Sequence, residues 1–388
     1  MSRIYSHLNT AKTILQHYKG DLPFSLFLKN FFSREKKYGS RDRKSISSLC
    51  YNYFRLGSAY DAYSLDERLL AGTYLSTRSP NEWLHDEKPE WNDNISLPLK
   101  DKLSSLSIRP NTIFPFNSEL SKDIDVDEFG ISFLIQPDVF IRVRPGKQQV
   151  VKSKLINSKV SFKEINENCY AFENATKLED IIDINKDAVI QDASSQAVGS
   201  FLLQAEMARL GQVWDCCAAS GGKAIMAADL LNDIKLTVSD VRPSIIHNLH
   251  ARFREAELKD YRSFVADLTS SNVLRSSLKN TLFDLIICDA PCSGSGTWSR
   301  TPEQLVFFKK EEVTRYSNLQ KAIAMNALSY LKKGGYFLYI TCSVFKKENE
   351  EVVAFLQDET SLSLVEMKML KGYGIKADTM FAALFTFK

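Results

Sequence analysis

The chain has 388 residues, 44% of them hydrophobic and 25% charged, with a formal net charge of +3. This ordinary balance allows two or three globular domains with a sizeable core. No run of 18 apolar residues occurs, which speaks against a membrane span. Seven cysteines without a CxxC pair and five histidines without HExxH spacing give no support to a disulfide framework, a zinc site or metal-dependent hydrolysis.

The N-terminus, MSRIYSHLNTAKTILQHYKG, starts basic but lacks the apolar stretch and cleavage site of a leader, so a cytoplasmic location is expected. Residues 1–75 read as helical. LNTAKTILQHY and ISSLCYNYFRLGSAYDAY repeat apolar residues at three- and four-residue spacing. DLPFSLFLKNFF opens with an aspartate and an early proline, both helix-start signals. Residues 1–60 hold eleven Lys/Arg against three Asp/Glu. With its interleaved aromatics, FLKNFFSREKKYGSRDRK fits contact with a phosphate backbone, or equally a solvated helical face and loop. Residues 79–100, rich in proline, asparagine and acids, read as a loop or domain edge.

From about 132, FLIQPDVFIRVRPGKQQVVKSKLINSKVSFKEINENCYAFE suggests short strands around one helix, a small α+β module. From about 187, the strands GQVWDCC, IKLTVSD, YRSFVADL, FDLIICD and GYFLYITCS alternate with helical segments. Such alternation predicts an α/β fold with a mostly parallel sheet covered by helices on both faces. The tail, SLSLVEMKM and then TMFAALFTFK, predicts two further strands paired as an antiparallel hairpin.

Ligands of open α/β sheets bind at the carboxyl ends of the strands. Here the strand ends carry Asp215, Asp240, Asp267, Asp289 and Thr341–Cys342. After Asp215, the small-residue loop CAASGGKA leads into a helix whose free N–H groups can receive a ligand. An acid 25 residues beyond Asp215, Asp240, can accept both hydroxyls of a ribose. Asp267 can meet an adenine amino group. Neither GxGxxG nor GxxxxGK[ST] is present, which weighs against a dinucleotide and a P-loop. S-adenosylmethionine is the nucleoside cofactor that suits these facts. His247 and His250, on the helix after Asp240, take ordinary surface or packing roles.

The stretches DCCAASGGK, QDASSQAV, DAPCSGSGTWSRTPE and LKKGGYFLYITCSVFKKENEEVV resemble the RNA cytosine-5 methyltransferases called RsmB/Fmu in bacteria and NSUN in eukaryotes. The resemblance runs from about residue 130 to the C-terminus and closely matches the bacterial branch acting on 16S rRNA. GSRDRKSISSLCYNYFRLG resembles that branch's NusB-like RNA-binding domain. The resemblance implies three parts: a helical NusB-like RNA-binding domain over 1–125, a small RRM-like subdomain over 126–186, and a Rossmann-like catalytic domain with a seven-stranded sheet over 187–388.

It further implies that Cys217, Ala218, Ala219, Ser220, Gly221, Gly222 and Lys223 form the methionine-binding loop. Asp240 would hold the ribose, Asp267 would lie near the adenine, and Asp289 would sit between cofactor and target base. Cys342 would be the nucleophile and Cys292 would assist later. Lys223 would meet a cofactor carboxylate or the RNA. The partner would be RNA presenting an unstacked cytosine, the protein a monomer. Three positions depart from the family pattern: Ser220 and Lys347 stand where proline is usual, and Ala224 where threonine is common. Serine can adopt a proline-like φ and cap the following helix, so a modest effect on cofactor affinity is expected.

The chemistry needs this residue set. C5 of cytosine is a weak nucleophile. A thiolate added at C6 breaks the conjugation and drives electron density to C5. A carboxyl such as Asp289, raised by burial, can hydrogen-bond the ring N3. A second cysteine near C5 and C6 can promote release. Cys50, Cys169, Cys216 and Cys288 read as core or structural residues, and no metal is expected. The other functions considered are a catalytically idle RNA-binding ribosome-assembly factor, a tRNA rather than rRNA methyltransferase, and a nicotinamide-dependent oxidoreductase.

Overall fold

The structure is a computed structural model and describes residues 3–204, 211–231 and 233–388. Two compact units emerge. The first comprises residues 1–120, 124–136 and 297–310; the second comprises 121–123, 137–296 and 311–388.

The first unit is helical. Its leading helices are α1 (Arg3–His17), α2 (Phe24–Arg34), α3 (Ser40–Arg55) and α4 (Leu65–Ser76). Met1 and Ser2, part of the expected helical stretch, lie outside the described residues. Each start has a local cause. Pro23 precedes α2, and Ser64 and Glu67 exchange a capping box at α4. The aromatic spacing noted in the sequence becomes a core: Tyr18 packs on Phe24 at 4.8 Å and on Phe307 at 5.0 Å.

Phe307 belongs to residues 297–310, which continue directly from the DAPCSGSG stretch and lie within this helical unit. Trp298, in the same segment, is buried beside Phe114 and Phe308. The buried Arg55 donates to the carbonyls of Phe133 and Ser299 at 2.7 and 3.0 Å. Residues 79–100 differ from the expected loop. They form two short helices, Glu82–Glu87 and Pro89–Asp93. Asn81 caps the first by accepting from the Leu84 N–H, and Pro89 fits the first turn of the second.

The second unit carries two sheets. The smaller consists of β1 (Val139–Val143), β2 (Lys163–Asn166), β3 (Cys169–Phe172) and β4 (Ala188–Ile190), in the order β2-β3-β1-β4. All its pairings are antiparallel. The helix Gln148–Ser158 buries Val151 and Leu155 against Ile141, Tyr170 and Phe172.

The larger sheet has seven strands: β5 (Gln212–Asp215), β6 (Lys235–Asp240), β7 (Tyr261–Val265), β8 (Phe283–Asp289), β9 (Leu331–Thr341), β10 (Leu362–Leu370) and β11 (Met380–Phe387). Their order is β10-β11-β9-β8-β5-β6-β7. The five strands from β5 to β9 run parallel, and β11 lies antiparallel to both β9 and β10. The expected terminal hairpin is therefore present, with its second strand inserted beside β9.

The central strands bury both faces, which is why they read as near-continuous apolar runs. Val213, Val238, Leu285, Ile287, Leu338 and Ile340 are all buried in one cluster. The sheet order reverses direction between β5 and β8, the place where such folds open a crevice. Among the described residues, no helix is long and apolar enough to cross a membrane.

Candidate active site

The loop after β5 is shaped by close backbone approach. Ala218 N–H donates to the Ser239 carbonyl at 2.9 Å, and Ala219 N–H donates to Asp240 Oδ2 at 3.1 Å. Gly221 has φ +83°, and a Cβ there would lie 2.4 Å from Phe253 Cε1. Only glycine meets both demands. The helix Gly222–Leu230 then begins, with Gly221 as its cap and no side-chain capping bond. Ser220 therefore does not cap that helix as expected. Its Oγ accepts instead from Arg252 Nη1 at 2.8 Å. Ala224 is fully buried in the core.

Asp240 ends β6, mostly buried, and also accepts from the Arg242 N–H at 2.9 Å. Asp267 lies two residues beyond β7 and is exposed; its Oδ1 accepts from the Thr269 N–H and hydroxyl at 2.9 and 2.7 Å. Asp215, read from the sequence only as a strand end, is fully buried, and neither carboxylate oxygen has a hydrogen-bond partner among the described residues. Burial, followed by the charge of Asp289, pushes its carboxyl well above the ordinary range.

At the end of β8, Asp289 Oδ2 accepts from Lys223 Nζ at 2.6 Å. The lysine side chain is only 10% exposed. Burial alone would lower its ammonium, but the charge and hydrogen bond of Asp289 outweigh it, and the net direction is up. Lys223, the second residue of its helix, thus reaches the end of the neighbouring strand, because β5 and β8 lie side by side.

Three residues past Asp289, Cys292 Sγ lies 3.2 Å from Cys342 Sγ at the end of β9. Both cysteines are partly exposed. Hydrogen bonding with Cys342, then burial, push the Cys292 thiol well above its ordinary value.

A buried polar frame holds the two cysteine segments together. Glu348 is fully buried and accepts from the Ser293 N–H at 2.8 Å, Gln320 Nε2 at 2.9 Å and Ser343 Oγ at 2.8 Å. It thereby joins the residue after each cysteine. Burial raises its carboxyl, although these donors oppose the shift. Asn349 accepts from Thr341 Oγ1 at 2.6 Å and donates to the Ser343 carbonyl at 2.9 Å. Gly296 N–H donates to the Cys342 carbonyl at 2.9 Å, and a Cβ on Gly296 would lie 1.9 Å from the Thr379 carbonyl oxygen. Sequence reasoning recognised the letters of the EN pair but not this framing role.

Cys216, Cys217 and Cys288 bring their sulfurs within 4.8 Å of one another below the loop. Cys216 and Cys288 are fully buried, as expected, and Cys217 is partly exposed.

The seven-stranded sheet, with the glycine-opened loop at its carboxyl edge, is Rossmann-like. Residues 202–385 match the family described as 16S rRNA methyltransferase RsmB/F.

The ribosomal RNA small subunit methyltransferase B of Xylella fastidiosa is 33% identical over 168 residues, covering 43% of this chain and 38% of that protein. The probable ribosomal RNA small subunit methyltransferase B of Bacillus subtilis is 32% identical over 186 residues, covering 46% and 40%. The chain thus spans about two fifths of the length of the curated relatives it matches. Among solved structures, PH0851 shares the fold across 99% of this chain and 97% of its own, with a TM-score of 0.67 at 17% identity.

Proposed function

We propose that this protein methylates C5 of a cytosine in RNA, in 16S ribosomal RNA, using S-adenosylmethionine. The observation that carries the proposal is the pair Cys292 and Cys342, delivered from two strand ends to 3.2 Å beside the ion pair of Lys223 and Asp289. The cofactor supplies an electrophilic methyl group.

The loop Cys217–Lys223 and the acids Asp215, Asp240 and Asp267 are positioned to receive that cofactor. Asp215 fits its positive charge, Asp240 the ribose hydroxyls and Asp267 the adenine. Asp289 lies between this region and the cysteines and engages the hydrogen-bonding edge of the base. Lys223 donates a hydrogen bond to Asp289.

Cys342 adds as thiolate to C6, and the ring electron pair moves to C5, which takes the methyl group. The C5 proton then passes to solvent, its bonding pair restores the ring double bond, and Cys342 departs as thiolate. Cys292 is the neighbour that promotes this release. The cytosine must leave its stack to reach both sulfurs, which favours single-stranded or flipped-out RNA. The basic helical segment near the N-terminus and the small sheet are proposed to hold the surrounding strand, as NusB-like and RRM-like parts.

Purified protein incubated with labelled cofactor and small-subunit rRNA lacking its native modifications should yield 5-methylcytosine. Transfer only to tRNA would move the substrate assignment. No transfer to any RNA, with cofactor bound, would overturn the proposal in favour of an RNA-binding assembly factor.

A further inference from the structure

Cys216 and Cys288 play no part in the chemistry above, Cys217 enters it only as the first residue of the proposed cofactor loop, and the geometry of the three is specific. Cys216 and Cys217 directly follow β5, and Cys288 is the penultimate residue of β8. The two strands are locked in register, with Cys216 N–H donating to the Ile287 carbonyl at 2.9 Å and Asp215 paired with Ile287. Central backbone hydrogen bonds, rather than mobile side chains, therefore bring the three sulfurs together. All three lie within 4.8 Å of one another and none is in a disulfide.

Three sulfurs around one ion at about 2.3 Å each form a triangle with edges of about 4.0 Å, within the 4.8 Å spread of this trio. An all-sulfur, three-ligand set selects soft, low-coordinate cations over hard ones. Asp215, the residue before Cys216, is fully buried and lacks a hydrogen-bond partner among the described residues. Cys217, partly exposed, opens the trio towards solvent.

We infer that Cys216, Cys217 and Cys288 form a binding site for a single thiophilic monovalent cation of the Cu(I) class. Each thiol that becomes a ligand releases its proton to solvent. Because Cys217 also opens the proposed cofactor loop, occupancy of this site reports on that loop while standing apart from methyl transfer.

The test must separate this trio from the close pair Cys292 and Cys342. The full-length Cys292→Ser/Cys342→Ser variant is titrated anaerobically with Cu(I) against a chromogenic chelator. One equivalent should be withheld from the chelator, with three sulfur neighbours in X-ray absorption. Adding Cys288→Ala, or Cys216→Ser as a second and smaller change, should weaken binding at least about 100-fold, more than loss of an outer-shell partner would. Adding Cys169→Ala should leave it unchanged. Melting curves confirm that each variant is folded. Withholding of no ion by the parent variant, a two-sulfur shell, or affinity indifferent to both Cys288→Ala and Cys216→Ser would overturn the assignment.

Discussion

Lys223 Nζ lies 2.6 Å from Asp289 Oδ2, joining the first turn of the helix after β5 to the end of β8. The lysine is nearly buried and the aspartate about a quarter exposed, so one partner is fixed and the other faces the reaction space. Lys223→Met leaves a half-buried carboxylate unpaired, and Asp289→Asn removes the charge of the proposed base-contacting carboxylate. Each single change is expected to lower kcat by about 100-fold or more. The double variant should be little worse than the poorer single one, because groups acting as a unit are non-additive. Single-turnover rates of the four proteins check this.

Asp215 predicts a conflict between stability and cofactor binding. Its carboxyl is raised by burial and by Asp289, so the folded state retains a proton that the unfolded state gives up. Stability of the cofactor-free protein therefore falls as pH rises from the ordinary carboxylate range near 4 up to the folded-state value. Asp215→Asn should remove that slope, raise cofactor-free stability by about 1 kcal/mol and weaken cofactor binding about tenfold or more. Denaturant melts across pH and calorimetric cofactor titration measure the two effects.

Glu348 predicts the reverse pattern. Its removal leaves Ser293 N–H, Gln320 Nε2 and Ser343 Oγ without their acceptor. Glu348→Ala should cost about 3 kcal/mol of stability. It should also lower kcat by loosening both cysteine segments while leaving cofactor affinity nearly unchanged. Thermal melts with parallel cofactor titrations distinguish this from general damage, which would lower both.

Much of the large sheet was legible because its signals are periodic and local. Buried parallel strands read as apolar runs, and their acidic ends marked the carboxyl edge before the strand order was known. The hairpin of β10 and β11 followed from two close strand patterns. What stayed hidden depends on neighbours across the sheet. Nothing local pairs Lys223 with Asp289, since that contact arises only when β5 and β8 are adjacent. Spacing does not mark Glu348 as buried, because it sits in the polar run KKENEE. The role of Ser220 turned on Arg252, 32 residues away in sequence. Residues 79–100 carried loop-like composition, yet Asn81 and Pro89 start helices there, since the same residue types serve turns and helix ends.

The central claim is that Cys342 attacks while Cys292 releases, although both sulfurs occupy one 3.2 Å contact. The direct measurement incubates RNA and S-adenosylmethionine with Cys342→Ala and Cys292→Ala separately and resolves protein–RNA adducts under denaturing conditions. The account predicts no turnover and no adduct for Cys342→Ala, and an accumulated covalent adduct for Cys292→Ala. An adduct formed by Cys342→Ala, or full turnover without Cys342, would contradict it.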